Sequence, residues 1–205
     1  MRGSPIASPG GRSGARCAIN SSTPPTTRLR WLWPSLTRVI VQTPVMADRL
    51  RASFGVPAER LAVIPSGCLL RPGGAPLCRR RVTTAEPLRL FWPARPYPHK
   101  NHEVLAPLCR ELVRRGLSDR VHFYLTLDAR ADRRGRRLLE GLRSNASMVT
   151  NLGPLATDEV ERWFDRTDAL FLPTLLESFG LTYLEAAVRR RPVLTSDRDF
   201  ARHAC

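Results

Sequence analysis

Two glutamates, Glu177 and Glu185, are separated by seven residues that include Ser178 and Gly180. Carboxylates accept hydrogen bonds from sugar or ribose hydroxyl groups. Gly180 has no Cβ, so a ligand could approach the main chain closely at that point. The stretch could therefore hold a hydroxyl-rich ligand. Taken alone, the two carboxylates would better fit an ordinary helix start followed by a solvated helical glutamate.

This stretch lies between a predicted strand and a predicted helix. The apolar run 169–172 is short and is ended by Pro173, which is typical of a buried strand. Beyond the stretch, Leu181, Leu184 and Val188 recur at helical spacing and predict the apolar face of a helix. The local order is therefore strand, loop and helix.

The open end of that helix, predicted over residues 181–190, suits an anion. The first N–H groups of a helix lack intrahelical partners and carry partial positive charge. We expect the amides of Phe179, Gly180 and Leu181 to face the ligand. Glu185 is predicted about two turns into the helix, off the apolar face.

A second loop carries positive charge. The apolar run 88–92 predicts a strand, and a proline-rich loop with Arg95 and Lys100 follows it. Asn101 is predicted to cap a helix over 102–115. Open α/β sheets bind ligands at the carboxyl ends of their strands, which is where this loop lies. An ordinary basic surface loop is the alternative interpretation.

The glutamate pair and the residues between them resemble a known motif. Glu177, the Ser-Phe-Gly-Leu that follows it and Glu185 are similar to the glutamate-x7-glutamate motif of retaining GT-B glycosyltransferases. The similarity is greatest to family 4, the "group 1" transferases. It covers residues 39–205 and is strongest over 152–204. In that family the motif lies in the C-terminal Rossmann-like domain, which binds the nucleotide-sugar donor.

The resemblance implies a role for each polar residue. Glu177 would contact the donor sugar and Glu185 the ribose. Arg95 and Lys100 would bind the pyrophosphate, so that Glu177, Arg95 and Lys100 are the predicted catalytic residues. The base would rest near Gly153. The backbone that would face the sugar and phosphates is that of Ser178, Phe179, Gly180 and Leu181. The family needs no metal for this step, so we expect no metal and no cofactor beyond the UDP- or GDP-sugar substrate.

Strands and helices alternate along the chain, which predicts an α/β fold with a Rossmann-like, doubly wound parallel sheet, the C-terminal half of a GT-B fold. No G-x-G-x-x-G follows a strand, which argues against a nicotinamide or flavin enzyme. We expect residues 1–30 to be a disordered tail, because they have few apolar side chains to bury. Residues 31–67 would be a remnant of the GT-B N-terminal domain and the crossover. Residues 68–205 would be the nucleotide-sugar-binding domain, truncated at its C-terminal end.

Several predicted helices have terminal signals. Pro44 begins one helix, which should close near Gly55. Thr157 is predicted to cap another, with Glu159 in its first turn. The helix predicted over 131–144 is very basic, and we expect its arginines to form a solvated face.

Composition limits the classes of function. The formal charge is +15, from 33 Lys plus Arg against 18 Asp plus Glu, and Lys100 is the only lysine. This balance suits a phosphorylated ligand, an anionic membrane face or nucleic acid, although no nucleic-acid-binding motif is visible. The cysteines form no C-x-x-C pair and are odd in number, which argues against disulfides and zinc and for a reducing compartment. They are Cys17, Cys68, Cys78, Cys109 and Cys205. His99 and His102 are interpreted as surface histidines.

The sequence therefore predicts the donor-binding half of a retaining glycosyltransferase. Its partners would be a nucleotide sugar and a sugar or lipid-linked acceptor, in the cytoplasm or peripherally at the inner membrane face. A glycosidase is disfavoured, because hydrolases place their carboxylates across the scissile bond. Two alternatives stay open: a catalytically inactive nucleotide-sugar-binding fragment and a basic nucleic-acid-binding protein. Strong salt dependence of binding would favour the second.

Overall fold

The computed structural model describes residues 32–73, 83 and 85–204. The predicted tail, 1–30, lies outside these ranges, and so do residues 74–82 and 84 of the predicted nucleotide-sugar-binding domain. No helix within them is long and apolar enough to cross a membrane.

The described residues contain seven strands, and the strands predicted at 88–92 and 169–172 are confirmed. The seven strands are β1 (Val39–Val41), β2 (Leu61–Val63), β3 (Leu88–Trp92), β4 (Val121–Leu125), β5 (Val149–Asn151), β6 (Ala169–Leu172) and β7 (Val193–Thr195).

Six α-helices connect or follow these strands in the described part of the chain. They are α1 (Pro44–Phe54), α2 (Leu105–Arg114), α3 (Arg133–Gly141), α4 (Thr157–Arg166), α5 (Leu181–Val188) and α6 (Asp199–Ala204). Helix α1 has the predicted ends: Pro44 occupies its first turn and Gly55 closes it in the left-handed conformation. Thr43 caps it by accepting a hydrogen bond from the Met46 amide.

The main sheet has five parallel strands in the order β5-β4-β3-β6-β7. From β3 the chain moves outward through β4 to β5 and then returns to the other side of β3 as β6. The strand order therefore reverses between β3 and β6, and the loops after these two strands leave the same edge side by side. This reversal is the switch point at which doubly wound sheets form a ligand crevice. The predicted fold class is confirmed.

Helices cover both faces of the sheet. Phe91 meets Phe164 of α4 edge to face, with ring centroids 5.1 Å apart. The next residue, Trp92, stacks on His102 at 4.4 Å. Successive strand residues point to opposite faces, so these two contacts lie on opposite sides of the sheet. Because both faces are covered, Leu90, Phe91 and Trp92 are all buried in succession.

The strands β1 and β2 form a separate parallel pair. Its small core of Val41, Leu50 and Val56 is distinct from the core of the main sheet. The side chain of Ile40 is 64% exposed. The proposed boundary between a remnant at 31–67 and the larger domain stays a prediction.

The prediction that Asn101 caps the following helix is wrong. Asn101 has φ 60°, in the left-handed region, and its side chain makes no cap hydrogen bond. An N-cap residue needs an extended backbone to turn its side chain toward the helix amides. The chain instead makes a 3-10 turn over His102–Val104 before α2 begins.

The prediction that Thr157 is an N-cap is also wrong, because Thr157 is already the first residue of α4. The preceding residue, Ala156, has no side-chain acceptor. The Glu159 carboxylate instead accepts a hydrogen bond from the Ala156 amide at 2.9 Å. A side chain in the first turn of α4 thus satisfies the backbone amide of its N-cap residue.

The buried face of α5 differs in part from the predicted face of Leu181, Leu184 and Val188, of which Val188 packs against the core. Tyr183 and Ala186 are buried, whereas Leu181 is 36% exposed. Tyr183 reaches the sheet because its hydroxyl lies 2.7 Å from the Thr195 hydroxyl. The predicted face did not include Tyr183. The helix ends at Val188, and Arg190 turns the chain with φ 55°.

The central strands carry most of the packing energy, which can be tested by truncation. Leu170 on β6 is fully buried, and Leu170→Ala should lower the free energy of unfolding by about 2–5 kcal/mol. Leu194 on the neighbouring β7 is 45% exposed. The matched change Leu194→Ala should cost less than about 0.5 kcal/mol. Urea unfolding measures both, and equal losses would contradict the described core.

Candidate active site

The loops after β3 and β6 are joined by an ion pair. The Nζ atom of Lys100 lies 2.5 Å from Oε1 of Glu177. The side chains of Lys100 and Glu177 are only 16% and 10% exposed. A charged pair this far from solvent interacts strongly. Two predicted site residues from loops 77 positions apart in sequence therefore form one unit at the carboxyl edge.

Three hydrogen bonds fasten the two loops together behind this ion pair. The Thr174 hydroxyl lies 2.9 Å from the His99 carbonyl, and the Leu175 amide donates to the same carbonyl at 2.7 Å. The Asn101 side-chain amide donates to the Pro173 carbonyl at 3.0 Å. Sequence reasoning missed these contacts. Asparagine adopts the left-handed conformation more often than most residues, so the sequence did hold a signal for a turn of the chain at Asn101.

Gly180 sets the start of α5. It has φ 75° and occupies the N-cap position, so Leu181 is the first helical residue, as predicted. A Cβ atom at Gly180 would lie 2.4 Å from Cδ2 of Tyr183. A side chain is therefore excluded both by backbone conformation and by space.

Glu185 lies in α5 four residues after its first residue, about one turn in, and not two turns as predicted. Burial raises the pKa of its carboxyl group, and the positive charge of Lys100 partly offsets that rise. Lys100 thus acts electrostatically on Glu185 and binds Glu177 directly. The structure brings Lys100 and Glu177 into contact, and Glu185 lies within electrostatic reach of the same ammonium group.

Arg95 lies on the wall of a neighbouring cavity. This cavity has a volume of about 490 Å³ and opens at the ends of β3, β4 and β5. Arg95 is exposed there, and Pro154 and Leu155 form part of the wall. Gly153, the predicted base-binding residue, directly precedes them and turns the chain with φ 76°. The described contacts therefore place Arg95 beside the predicted base region.

Two carboxylates in the same wall were not predicted. Asp128 accepts hydrogen bonds from the amides of Arg130 and Ala131, both at 2.9 Å. Asp132 caps α3 through the amides of Arg134 and Gly135. These contacts give both residues a local structural role.

Ser178 fastens the Glu177 loop to the first part of the chain. Its hydroxyl lies 3.1 Å from Oε1 of Gln42, whose amide group donates to the Ser66 hydroxyl at 2.6 Å. The Thr43 hydroxyl donates to the Ser178 carbonyl at 3.0 Å. The donor-binding role of Ser178 stays a prediction, and these contacts show that Ser178 joins the segment after β1 to the main domain.

His102 lies under the Lys100 loop, and the prediction of a surface histidine is wrong. It is 3% exposed because its ring stacks on Trp92, with 7° between the planes. Burial lowers its pKa to about 4, helped by the charges of Lys100 and Arg134. The imidazole is therefore neutral at pH 7. In the parts of the chain that the structure covers, no group of three His, Cys, Asp or Glu residues could hold a metal ion.

Comparison with known proteins identifies the family. The sequence model of a family described as "Glycosyl transferases group 1" matches residues 87–204, more than half of the chain. The chain belongs to the group 1 glycosyl transferases. The matched region contains both site loops and the whole five-stranded sheet.

The relatives of this group 1 chain are longer than it is. It is 27% identical over 169 residues to a D-inositol 3-phosphate glycosyltransferase of Paenarthrobacter aurescens (strain TC1), covering 78% of this chain and 40% of the relative. It is 30% identical over 172 residues to a protein of the same name from Nocardia farcinica (strain IFM 10152), covering 78% and 37%. The chain thus spans about 40% of the length of the curated relatives it matches.

A solved structure supports the fold. Anabaena HepE in complex with UDP and glucose superimposes with a TM-score of 0.65 at 17% identity, covering 87% of this chain and 50% of that one. At this identity the likeness shows the fold alone.

The space at Gly180 can be tested against a second left-handed glycine. Gly116 has φ 66°, and a Cβ atom added there would meet nothing within 4 Å, whereas one at Gly180 would meet Tyr183. Both alanine variants strain the backbone, but only Gly180→Ala adds a clash. It should lower the free energy of unfolding by at least about 1 kcal/mol more than Gly116→Ala. Equal losses in chemical unfolding would mean that Tyr183 moves aside without cost.

The buried histidine predicts a dependence of stability on pH. The folded pKa of His102 is about 4, below the ordinary 6.5, so the unfolded chain binds the proton first as pH falls. Stability should drop by about 3 kcal/mol between pH 6.5 and 4 through this residue. Unfolding at several pH values should show a flatter profile for His102→Phe, which keeps a ring on Trp92. The exposed His203 gives the control, His203→Phe. Parallel profiles for wild type and His102→Phe would refute the assignment.

Proposed function

We propose that this chain is the donor-binding half of a retaining glycosyltransferase, which transfers a sugar from a UDP- or GDP-sugar to an acceptor. The observation that carries the proposal is the Lys100–Glu177 pair at the switch point of the sheet. Membership of the group 1 family supports it. HepE, a protein of the same fold, was solved with UDP and glucose, which also favours a nucleotide-sugar donor.

The ion pair suits a ligand that carries both phosphate and hydroxyl groups. A pyrophosphate would attract the Lys100 ammonium, and sugar hydroxyls would donate hydrogen bonds to the Glu177 carboxylate. Each member of the pair thereby exchanges one polar contact for another. The exchange avoids leaving either half-buried charge without compensation, which would be costly.

The remaining groups would complete donor recognition. Glu185 would accept hydrogen bonds from the ribose hydroxyls, and the base would occupy the cavity near Gly153. Arg95, on the wall of that cavity, would reach the phosphates from the other side. The amides at the start of α5 would add partial positive charge.

Catalysis would follow from stabilising the departing nucleoside diphosphate. Negative charge develops on the leaving phosphate as the bond to the sugar breaks. Lys100, Arg95 and the start of α5 are preorganised positive groups, which lower the energy of such a transition state. This set would do the work without a metal ion or an additional cofactor.

The acceptor would be a sugar or a lipid-linked molecule, held by a part of the enzyme that faces the donor site. The formal charge of +15 would suit peripheral contact with an anionic membrane that presents such an acceptor. A catalytically inactive protein that binds a nucleotide sugar is the second candidate.

Binding of nucleoside diphosphates tests the site. We expect UDP or GDP to bind weakly in isothermal titration calorimetry. Lys100→Ala and Arg95→Ala should each cost roughly 1.5–3 kcal/mol of binding energy, because each removes a charge-assisted hydrogen bond. The exposed Arg110 on α2 gives a matched control, and Arg110→Ala should leave affinity unchanged. Unchanged affinity in both site variants would remove the pyrophosphate role.

The two glutamates should respond differently in the same titrations. Glu185→Ala should weaken binding of the diphosphate through the ribose. Glu177→Ala should weaken binding of the intact nucleotide sugar more than binding of the diphosphate.

This chain alone should transfer no sugar, because a two-domain cleft orients the acceptor and excludes water, a contribution of roughly 7–11 kcal/mol. Measurable transfer would overturn the half-enzyme proposal. Binding of nucleic acid but of neither diphosphate, with strong weakening at raised salt, would instead favour the nucleic-acid alternative.

A further inference from the structure

Thr174 is a buried polar side chain that the proposed chemistry does not use. It is 0% exposed. Its hydroxyl lies 2.9 Å from the His99 carbonyl and 3.1 Å from the Leu176 carbonyl. These two residues immediately precede Lys100 and Glu177. The hydroxyl has one hydrogen to donate, which the two carbonyls share in a three-centre hydrogen bond. Through this bond one buried hydroxyl contacts the peptide next to each member of the ion pair.

A second contact closes the same arrangement from the other side. Asn101, which immediately follows Lys100, donates its side-chain amide to the carbonyl of Pro173, the residue before Thr174. Its φ of 60° turns the chain so that the side chain can reach that carbonyl. Lys100 is thus bracketed on both sides by hydrogen bonds to the loop that carries Glu177.

We propose that Thr174 is a positioning residue, which sets the separation of Lys100 and Glu177 for the donor diphosphate, with Asn101 as its second support. This inference rests on the proposed function. The physical reason is that a lysine side chain has many rotamers, and ordering them costs free energy. Fixing the backbone on both sides of Lys100 limits where its ammonium group can go. A ligand then binds a prearranged cation and meets a smaller ordering cost.

Substitution of the hydroxyl gives the first test. Thr174→Val keeps the shape and removes the hydroxyl, whereas Thr174→Ser keeps it. Titration with whichever of UDP and GDP the wild type binds more tightly should show an affinity about fivefold lower for Thr174→Val, the effect of one hydrogen bond. Thr174→Ser should stay within about twofold of wild type.

The chain contains a matched control for this change. Thr167 is also buried, and its hydroxyl lies 2.7 Å from the Trp163 carbonyl. Thr167 precedes β6, whereas Thr174 follows it. Thr167→Val removes a buried hydroxyl of the same kind, far from the ion pair in the sheet. It should reduce stability without changing diphosphate affinity. Equal losses of affinity in Thr167→Val and Thr174→Val would overturn the inference, because the effect would then be general destabilisation.

A double-mutant cycle separates positioning from packing. If Thr174 acts through Lys100, Thr174→Val should have less than about a twofold effect in a Lys100→Ala background. Additive effects in the two backgrounds would overturn the inference but leave the role of Lys100 intact. Loss of binding in Lys100→Ala, with wild-type affinity in Thr174→Val, would likewise overturn the inference and leave the role of Lys100 intact. If the wild type binds neither diphosphate, the proposed function and this inference both fail.

A spectroscopic measurement checks the same point without a ligand. Lys100 is the only lysine, so protein labelled with ¹³Cε-lysine gives a single side-chain resonance. Glu177→Gln should shift that resonance because it alters the ion pair. Thr174→Val should shift it too, whereas Thr167→Val should not. If Thr174→Val fails to fold, Asn101→Gly, which tolerates the left-handed φ but lacks the amide donor, should produce the shift. An unmoved resonance in the folded variants would overturn the inference.

Discussion

The pairing of β3 with β6 is the constraint on which the site depends. These strands are far apart in sequence, yet Leu90 pairs with Ala169 and Phe91 with Leu170. At the other end of the strands, the Asp168 carboxylate accepts a hydrogen bond from the Arg89 amide at 2.7 Å. This junction places the two loops at adjacent positions on the carboxyl edge. Without this pairing, the loops that carry Lys100 and Glu177 would not be neighbours, and the ion pair would not form.

The ion pair formed by Lys100 and Glu177 has a cost as well as a benefit. Removing two charges from water is unfavourable, and their mutual attraction repays this only when the geometry is good. Hydrogen bonds from Thr174 and Asn101 provide that geometry by fixing the backbone around the pair. On the proposed function, a donor diphosphate would meet a cation that is already oriented and only partly solvated, where electrostatic attraction is stronger than in water.

The contacts of Ser178 give the β1–β2 unit a direct connection to this loop. Gln42 and Thr43 bond to Ser178, the residue next to Glu177. Arg49 of α1 also forms an ion pair with Asp199 of α6. The loop that carries Glu177 is therefore held from two directions, by the Lys100 loop and by the first strand–helix unit. A movement of either support would change the position of Glu177.

The sequence by itself determined the class of fold, the order of the strands along the chain and the identities of the candidate site residues. Alternation of short apolar runs with helical spacing is local information, and the ends of α1 follow from Pro44 and Gly55 in the same way. Tertiary structure decided the rest. Asn101 bonds to the opposite loop and does not cap a helix, Tyr183 is buried on α5 where Leu181 is exposed, and His102 is buried against Trp92. Tertiary structure also decided that Lys100 and Glu177 form an ion pair. Contacts and burial between segments distant in the chain depend on strand pairing, and a local sequence pattern holds no information on which strands pair.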